Sequence, residues 1–77
     1  LALVEEFMAQ FPSLAFDDLA ARQHARLRGA LSRAGQGIGP NDSMIAAIAI
    51  AHDAVLVTHN TGEFGRVPRL RVEDWEA

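Results

Sequence analysis

Asp42 is the residue that most invites a chemical role. It follows the turn Gly39-Pro40-Asn41 and opens an apolar stretch, Met44-Ile45-Ala46-Ala47-Ile48-Ala49-Ile50-Ala51. A carboxylate at a helix start is favoured by the unpaired N–H groups there, so Asp42 can serve simply as a cap. It can equally be a hard oxygen ligand for Mg2+ or Mn2+, carried on a rigid helix and aimed into the loops at the strand ends. A second polar group, Thr58-His59-Asn60-Thr61-Gly62-Glu63-Phe64, comes directly after the β-branched run Val55-Leu56-Val57. Thr58, Asn60 and Glu63 offer a hydroxyl, an amide and a carboxylate where open parallel sheets bind their ligands, beyond the carboxyl ends of the strands. Polar residues after a strand are also ordinary loop chemistry, so this cluster gains meaning only if it meets Asp42. A right-handed connection places a helix start and the end of the following strand on the same side of a sheet, which permits that meeting.

Other chemistries find less support. His24 falls on an apolar helix face and reads as a core or boundary histidine. His52 and His59 lack a partner at helical ligand spacing, which disfavours zinc. Gly37-Ile38-Gly39 reads as a turn, with no dinucleotide or phosphate-loop pattern around it. Ser13 and Ser43 have no evident base, and the chain has no cysteine for a disulfide or thiolate site.

The elements that must position these residues follow from periodicity. Leu1, Val4, Met8 and Phe11 share a face and predict a helix over 1–11, closed by Pro12-Ser13, with Leu14-Ala15-Phe16 as a short buried strand. Asp17 is a suitable N-cap for a helix running to about Ala34, with Gly35 in the left-handed position after it. Ala20, His24, Leu27, Leu31 and Ala34 form its inner face, and Arg22, Arg26 and Arg33 its outer, solvated face. The next helix begins near Asn41 or Asp42, ends near His52 and is apolar on all sides, which predicts burial all round. Asp53 can take a left-handed turn position. Val55–Thr58 reads as a central parallel strand, His59–Gly65 as a loop with one helical turn, Leu70–Val72 as an edge strand, and Trp75 as a cap on the core. Alternating helices and strands predict a layered α/β fold in a single domain.

The chain has 77 residues and a formal net charge of −3, and all its basic side chains are arginines. A mildly acidic chain has no overall electrostatic footprint for nucleic acid, so any such contact needs a local arginine patch. The apolar run from Met44 to Ala51 is far too short to span a bilayer, and no signal-peptide pattern is present. A cytoplasmic location is expected. Because the first residue is Leu1 and not Met, the sequence is expected to start inside a longer reading frame or after processing.

Taken in order, Gly35-Gln36-Gly37-Ile38-Gly39-Pro40-Asn41-Asp42, Met44-Ile45-Ala46-Ala47, Val57-Thr58-His59-Asn60-Thr61-Gly62-Glu63-Phe64, Arg66-Val67-Pro68 and Leu70-Arg71-Val72-Glu73-Asp74-Trp75 resemble the C-terminal region of VapC toxins, of the PIN-domain family. The resemblance is strong from Gly35 to Trp75 and weak before Phe16. It implies a PIN-like three-layer α/β/α fold with a parallel sheet, residues 1–77 being the C-terminal part of one such domain. It further implies Mg2+- or Mn2+-dependent endoribonuclease chemistry, a cognate antitoxin, an RNA substrate and a homodimer. Asp42 inherits a metal-ligand role, Asn60 stands where the wider family often has Asp, Glu63 resembles the fourth acidic residue, and Thr58 orients the site or touches a phosphate. Arg66, Arg69 or the Arg22 face would draw the RNA backbone.

Three departures accompany the resemblance. The family's opening strand with its Asp, and its helix with a Glu, have no counterpart here, so two of four carboxylates and the first strand are expected to be missing. Ile48 stands where the family often has His, and Asp53 replaces the usual Gly before the strand. The first departure predicts a chain that binds divalent metal weakly and cleaves RNA poorly. The alternative is a non-catalytic truncated toxin that acts as an antitoxin-binding or dimerisation module.

Overall fold

The structure, a computed structural model, describes residues 2–6, 17–35 and 37–75. Six elements follow one another along these residues: β1 (Ala2–Val4), α1 (Asp18–Ala34), α2 (Pro40–Ala51), β2 (Val55–Val57), α3 (Thr61–Phe64) and β3 (Arg71–Glu73). The strands form one parallel sheet in the order β1-β2-β3, with Leu3, Leu56 and Val72 in register across it. The expected α/β class with a parallel sheet is what forms, and Val55–Val57 is the central strand as its β-branched sequence suggests.

The N-terminal expectation is corrected. Ala2–Val4 is a strand, not the start of a helix. A short helix is costly to nucleate, whereas pairing these residues with β2 satisfies an edge of the central strand that would otherwise stay open. The remainder of the expected 1–11 helix, from residue 7 onward, and the expected strand at Leu14–Phe16 lie outside the described residues.

Helix α1 forms as its sequence dictates. The Asp17 side chain accepts from the Ala20 N–H at 3.0 Å, and Gly35 closes the helix at φ 68, its N–H returning to the carbonyls of Leu31 and Ser32. Ala20, Leu27 and Leu31 are buried against α2, while Arg22, Arg26 and Arg33 are exposed. Helix α2 begins at Pro40, slightly before the expected start, because proline is pre-set for a first helical turn and lacks an N–H that would have no partner there. Ile45 to Ala49 are buried, but Met44, Ile50 and Ala51 are only half-buried. Burial is therefore complete along the middle of α2 and partial at its ends, where α1 and the sheet no longer flank both sides.

Asp53 takes the left-handed conformation, φ 51, between α2 and β2. Arg71 fixes it from β3, donating to the Asp53 carbonyl at 2.6 Å and to its carboxylate at 3.0 Å. Phe64 and Val67 close the core next to Leu56 and Ile45. Trp75 does not cap that core, contrary to expectation: it is 63% exposed, with its indole N–H donated to Glu73 Oε1 at 2.9 Å. The buried core is closed instead by Phe64 and Val67.

Candidate active site

The site is built by the chain that leaves β2. Thr58 is buried, and its N–H donates to the Glu73 carbonyl at 2.9 Å, extending the pairing with β3 by one residue. Its hydroxyl accepts from the Asn60 N–H at 3.0 Å, a local turn that bends the chain back at once. The short helix α3 starts there, its backbone bonds running from Phe64 N–H to Asn60 O and from Gly65 N–H to Thr61 O. Phe64, wholly buried, anchors that turn in the core. Glu63, next to it on the outer side, is thereby held over the start of α2.

Glu63 is gripped at both oxygens. The Asn60 amide donates to Oε2 at 2.9 Å, and the Gly39 N–H, just before α2, donates to Oε1 at 3.0 Å. Asp42, in the first turn of α2, completes the group: its carboxyl interacts electrostatically with that of Glu63. Three of the four residues singled out in the sequence thus converge, and Thr58 stands behind them as the residue that orients Asn60.

The electrostatics separate the two acids. Burial raises the Asp42 pKa above the ordinary carboxylate value, and the neighbouring Glu63 charge and the hydrogen bond between them raise it further. Glu63 is shifted the other way, chiefly by the Asn60 amide and the Gly39 N–H, and Arg66 adds to this. The two acids are thus pushed apart, Asp42 becoming the weaker and Glu63 the stronger.

Sequence reasoning missed Glu5. Placed inside an expected helix, it gave no sign that it would follow a strand and reach the same end of the sheet. Its pKa is raised by burial first, then by the charges of Asp42 and Glu6, with His59 acting in the opposite sense. His59 lies between carboxylates, with Nδ1 3.1 Å from Asp74 and Nε2 3.8 Å from Glu6. A cavity of about 250 Å³ opens among these groups, lined by Val4, Glu5 and Glu6 and by Val57, Thr58, His59, Asn60 and Trp75.

His24 lies away from this site, as a boundary histidine. Ser43 Oγ donates to the Pro40 carbonyl at 2.8 Å and lies 2.9 Å from His24 Nε2. Since the single hydroxyl proton is committed to Pro40, His24 Nε2–H is the donor in the second bond. His52 pairs with Asp17 at 3.6 Å.

Asp42 and Glu63 present hard oxygen donors, and a divalent cation between them would relieve the repulsion that raises the Asp42 pKa. Asn60 acts here through Glu63 by holding it. Among the described residues, no group of three or more His, Cys, Asp or Glu side chains is arranged to hold a metal ion. The fit is that of a two-carboxylate half-site.

The fold and this carboxylate cluster agree with what comparison finds. The family model described as PIN domain matches residues 1–70, and the chain belongs to the PIN-domain family. Within it, the chain is similar to VapC ribonucleases. It is 43% identical over 75 residues to the tRNA(fMet)-specific endonuclease VapC of Shigella flexneri, covering 97% of this chain and 57% of that protein. It is 39% identical over 70 residues to ribonuclease VapC2 of Rickettsia felis, covering 91% of this chain and 52% of that one. Among solved structures, VapBC2 from Rickettsia felis, bound to a DNA fragment from its promoter, matches with a TM-score of 0.75 at 43% identity. That match covers 78% of this chain and 45% of the other. VapBC-1 from nontypeable Haemophilus influenzae matches with a TM-score of 0.76 at 34% identity, covering 79% and 46%. The chain spans about half the length of the curated relatives it matches.

Proposed function

We propose that this chain contributes Asp42 and Glu63, supported by Asn60 and Thr58, to the Mg2+- or Mn2+-dependent site of an endoribonuclease toxin. The observation that carries this reading is the meeting of Glu63 with the start of α2, where Asp42 stands, at the carboxyl end of a parallel sheet, in a chain of the PIN-domain family. A hard divalent cation, when bound, supplies an activated water and stabilises charge on the phosphodiester in hydrolysis. The protein's own part is positional. Gly39 and Asn60 fix the Glu63 carboxylate, the Thr58 hydroxyl fixes Asn60, and α2 holds Asp42. Arg66, whose charge lowers the Glu63 pKa, Arg69 or the Arg22 face would meet the RNA phosphates.

Two carboxylates are fewer than a tight all-protein site for such cations uses, so this chain alone binds the cation weakly and turns RNA over poorly. The test is a Mn2+ titration followed by calorimetry, with Asp42→Asn alongside, and a parallel assay of RNA cleavage in Mg2+. Weak Mn2+ binding that disappears in the variant supports the reading; binding that ignores Asp42→Asn refutes it. Vigorous cleavage abolished by the same substitution would keep the site assignment and overturn the claim of poor turnover.

The VapBC complexes among the neighbouring structures support a cognate antitoxin as partner; action on RNA as a homodimer in the cytoplasm is the expectation that the family resemblance carries. No helix among the described residues is long and apolar enough to cross a membrane. The second reading, a partner-binding module without catalysis, draws on the exposed apolar side chains Val4 and Leu19. Co-purification with an antitoxin in the absence of Asp42-dependent Mn2+ binding would favour it.

A further inference from the structure

Trp75 is the largest apolar side chain left in solvent among the described residues, and it is not loose. Its indole N–H is committed to Glu73 Oε1 at 2.9 Å, on the strand that pairs with the central one. The residue is nonetheless 63% exposed. The exposed ring borders the cavity of about 250 Å³ whose other walls include Val4, Val57 and Asn60. Asn60 is the residue that grips Glu63, so the cavity and the carboxylate pair share a wall.

We propose that Trp75 is a stacking platform for one nucleobase of single-stranded RNA, held beside the Asp42–Glu63 pair. The inference rests on the ribonuclease reading and names the part of the substrate that this cavity takes. Drug-sized ligands occupy pockets of about 300–1,000 Å³, so a cavity of this size suits a single planar ring system. Its apolar lining, Val4, Val57 and the indole, suits the apolar faces of a base. Glu5 and Glu6 line the same cavity and repel a phosphate, which leaves the uncharged base as the part of the strand that enters. Stacking on a rigid aromatic orders few torsions and tolerates any base, so the platform positions the strand without selecting its sequence.

Trp75 is the sole tryptophan of the sequence, so its emission reports on the platform directly. The probe is a short 2′-O-methyl RNA, compared with an abasic backbone of the same length and charge, each titrated into the 77-residue chain in Mg2+. The base-bearing strand is expected to quench Trp75 emission and the abasic strand to leave it unchanged. By anisotropy of a labelled strand, Trp75→Ala should weaken binding on the order of 10-fold, since a stacked base loses its platform. Trp75→Phe, which keeps an aromatic face and a comparable fit, should retain most of the affinity. Equal quenching by both strands, no quenching by either, or a Trp75→Phe variant as weak as Trp75→Ala would overturn the proposal. Asp42-dependent Mn2+ binding is read separately from these titrations. If it is present while the bases leave Trp75 unmoved, the platform fails and the ribonuclease reading stands.

Discussion

Replacing Asp42 by Asn should make the protein more stable without divalent metal and less responsive to it. In the native chain the carboxyl of Asp42 is raised in pKa by burial and then by the Glu63 charge. An acid whose folded pKa lies above its unfolded value makes the fold lose stability as pH rises through that interval, and the loss persists at neutral pH. The charge also sits in the first turn of α2, where the helix dipole favours it by about 0.3–1 kcal/mol. The raised pKa says that burial and repulsion outweigh the dipole. Because both carboxyls are partly exposed, the net gain on removing one charge is small, about 0.5–1 kcal/mol. In a chain of this size about 1 kcal/mol corresponds to roughly 4–8 °C in Tm. Metal works in the opposite direction. At ten times its Kd, Mn2+ should stabilise the native chain by about 1.4 kcal/mol and the variant hardly at all. Thermal melts by circular dichroism, in EDTA and in rising Mn2+, should therefore cross: Asp42→Asn melts higher in EDTA, the native chain higher in saturating metal. A variant that melts below the native chain in EDTA would refute the claim that the pair is strained by its own charge. Equal Mn2+ shifts for both proteins would refute the assignment of Asp42 as a ligand.

Asn60→Asp replaces the amide that donates to Glu63 Oε2 with a third carboxylate; it should tighten Mn2+ binding by calorimetry, on the order of 10-fold, and lower Tm in EDTA through added repulsion. Gly65→Ala would bring its Cβ within 2.6 Å of the Thr61 carbonyl oxygen, so α3 must shift; urea melts should show a loss of about 1–3 kcal/mol, and Mn2+ binding should weaken with the displacement of Glu63. His24 has its pKa lowered by burial and then by Arg28, so its neutral form is favoured in the fold. The stability this represents is complete above the unfolded value of 6.5 and is lost as pH falls through the lower folded value; in His24→Gln, which keeps a donor for Ser43, urea midpoints should fall less steeply below that pH.

Much of the arrangement is legible in the chain because its local signals agree with its tertiary needs. Asp17 and Gly35 bracket α1 by capping chemistry alone, and the β-branched Val55–Val57 can only be a strand covered on both faces. Asp42 and Glu63 are legible as a pair for a topological reason: one opens a helix and the other follows the next strand, and a right-handed connection returns both to one edge. What the sequence hides is set by pairing over long distances. Ala2–Val4 carries no strand signal of its own; it becomes a strand because β2 has an edge to fill, and that pairing brings Glu5 to the site.

Trp75 shows the same limit from the other side. A tryptophan near a chain's end reads as core by composition, since large aromatics are buried on average. Whether it is buried depends on what has already filled the core, and Phe64, eleven positions earlier in sequence, is wholly inside. The helical turn that sends Phe64 inward also sends Glu63 outward to Asn60 and Gly39, so one four-residue element decides both the packing and the chemistry. The indole left over is then held at the rim by Glu73, on the strand whose carbonyl receives the Thr58 N–H. A substitution that pulls Phe64 from the core, such as Phe64→Ala, therefore disturbs the carboxylate pair whose Glu63 its turn positions.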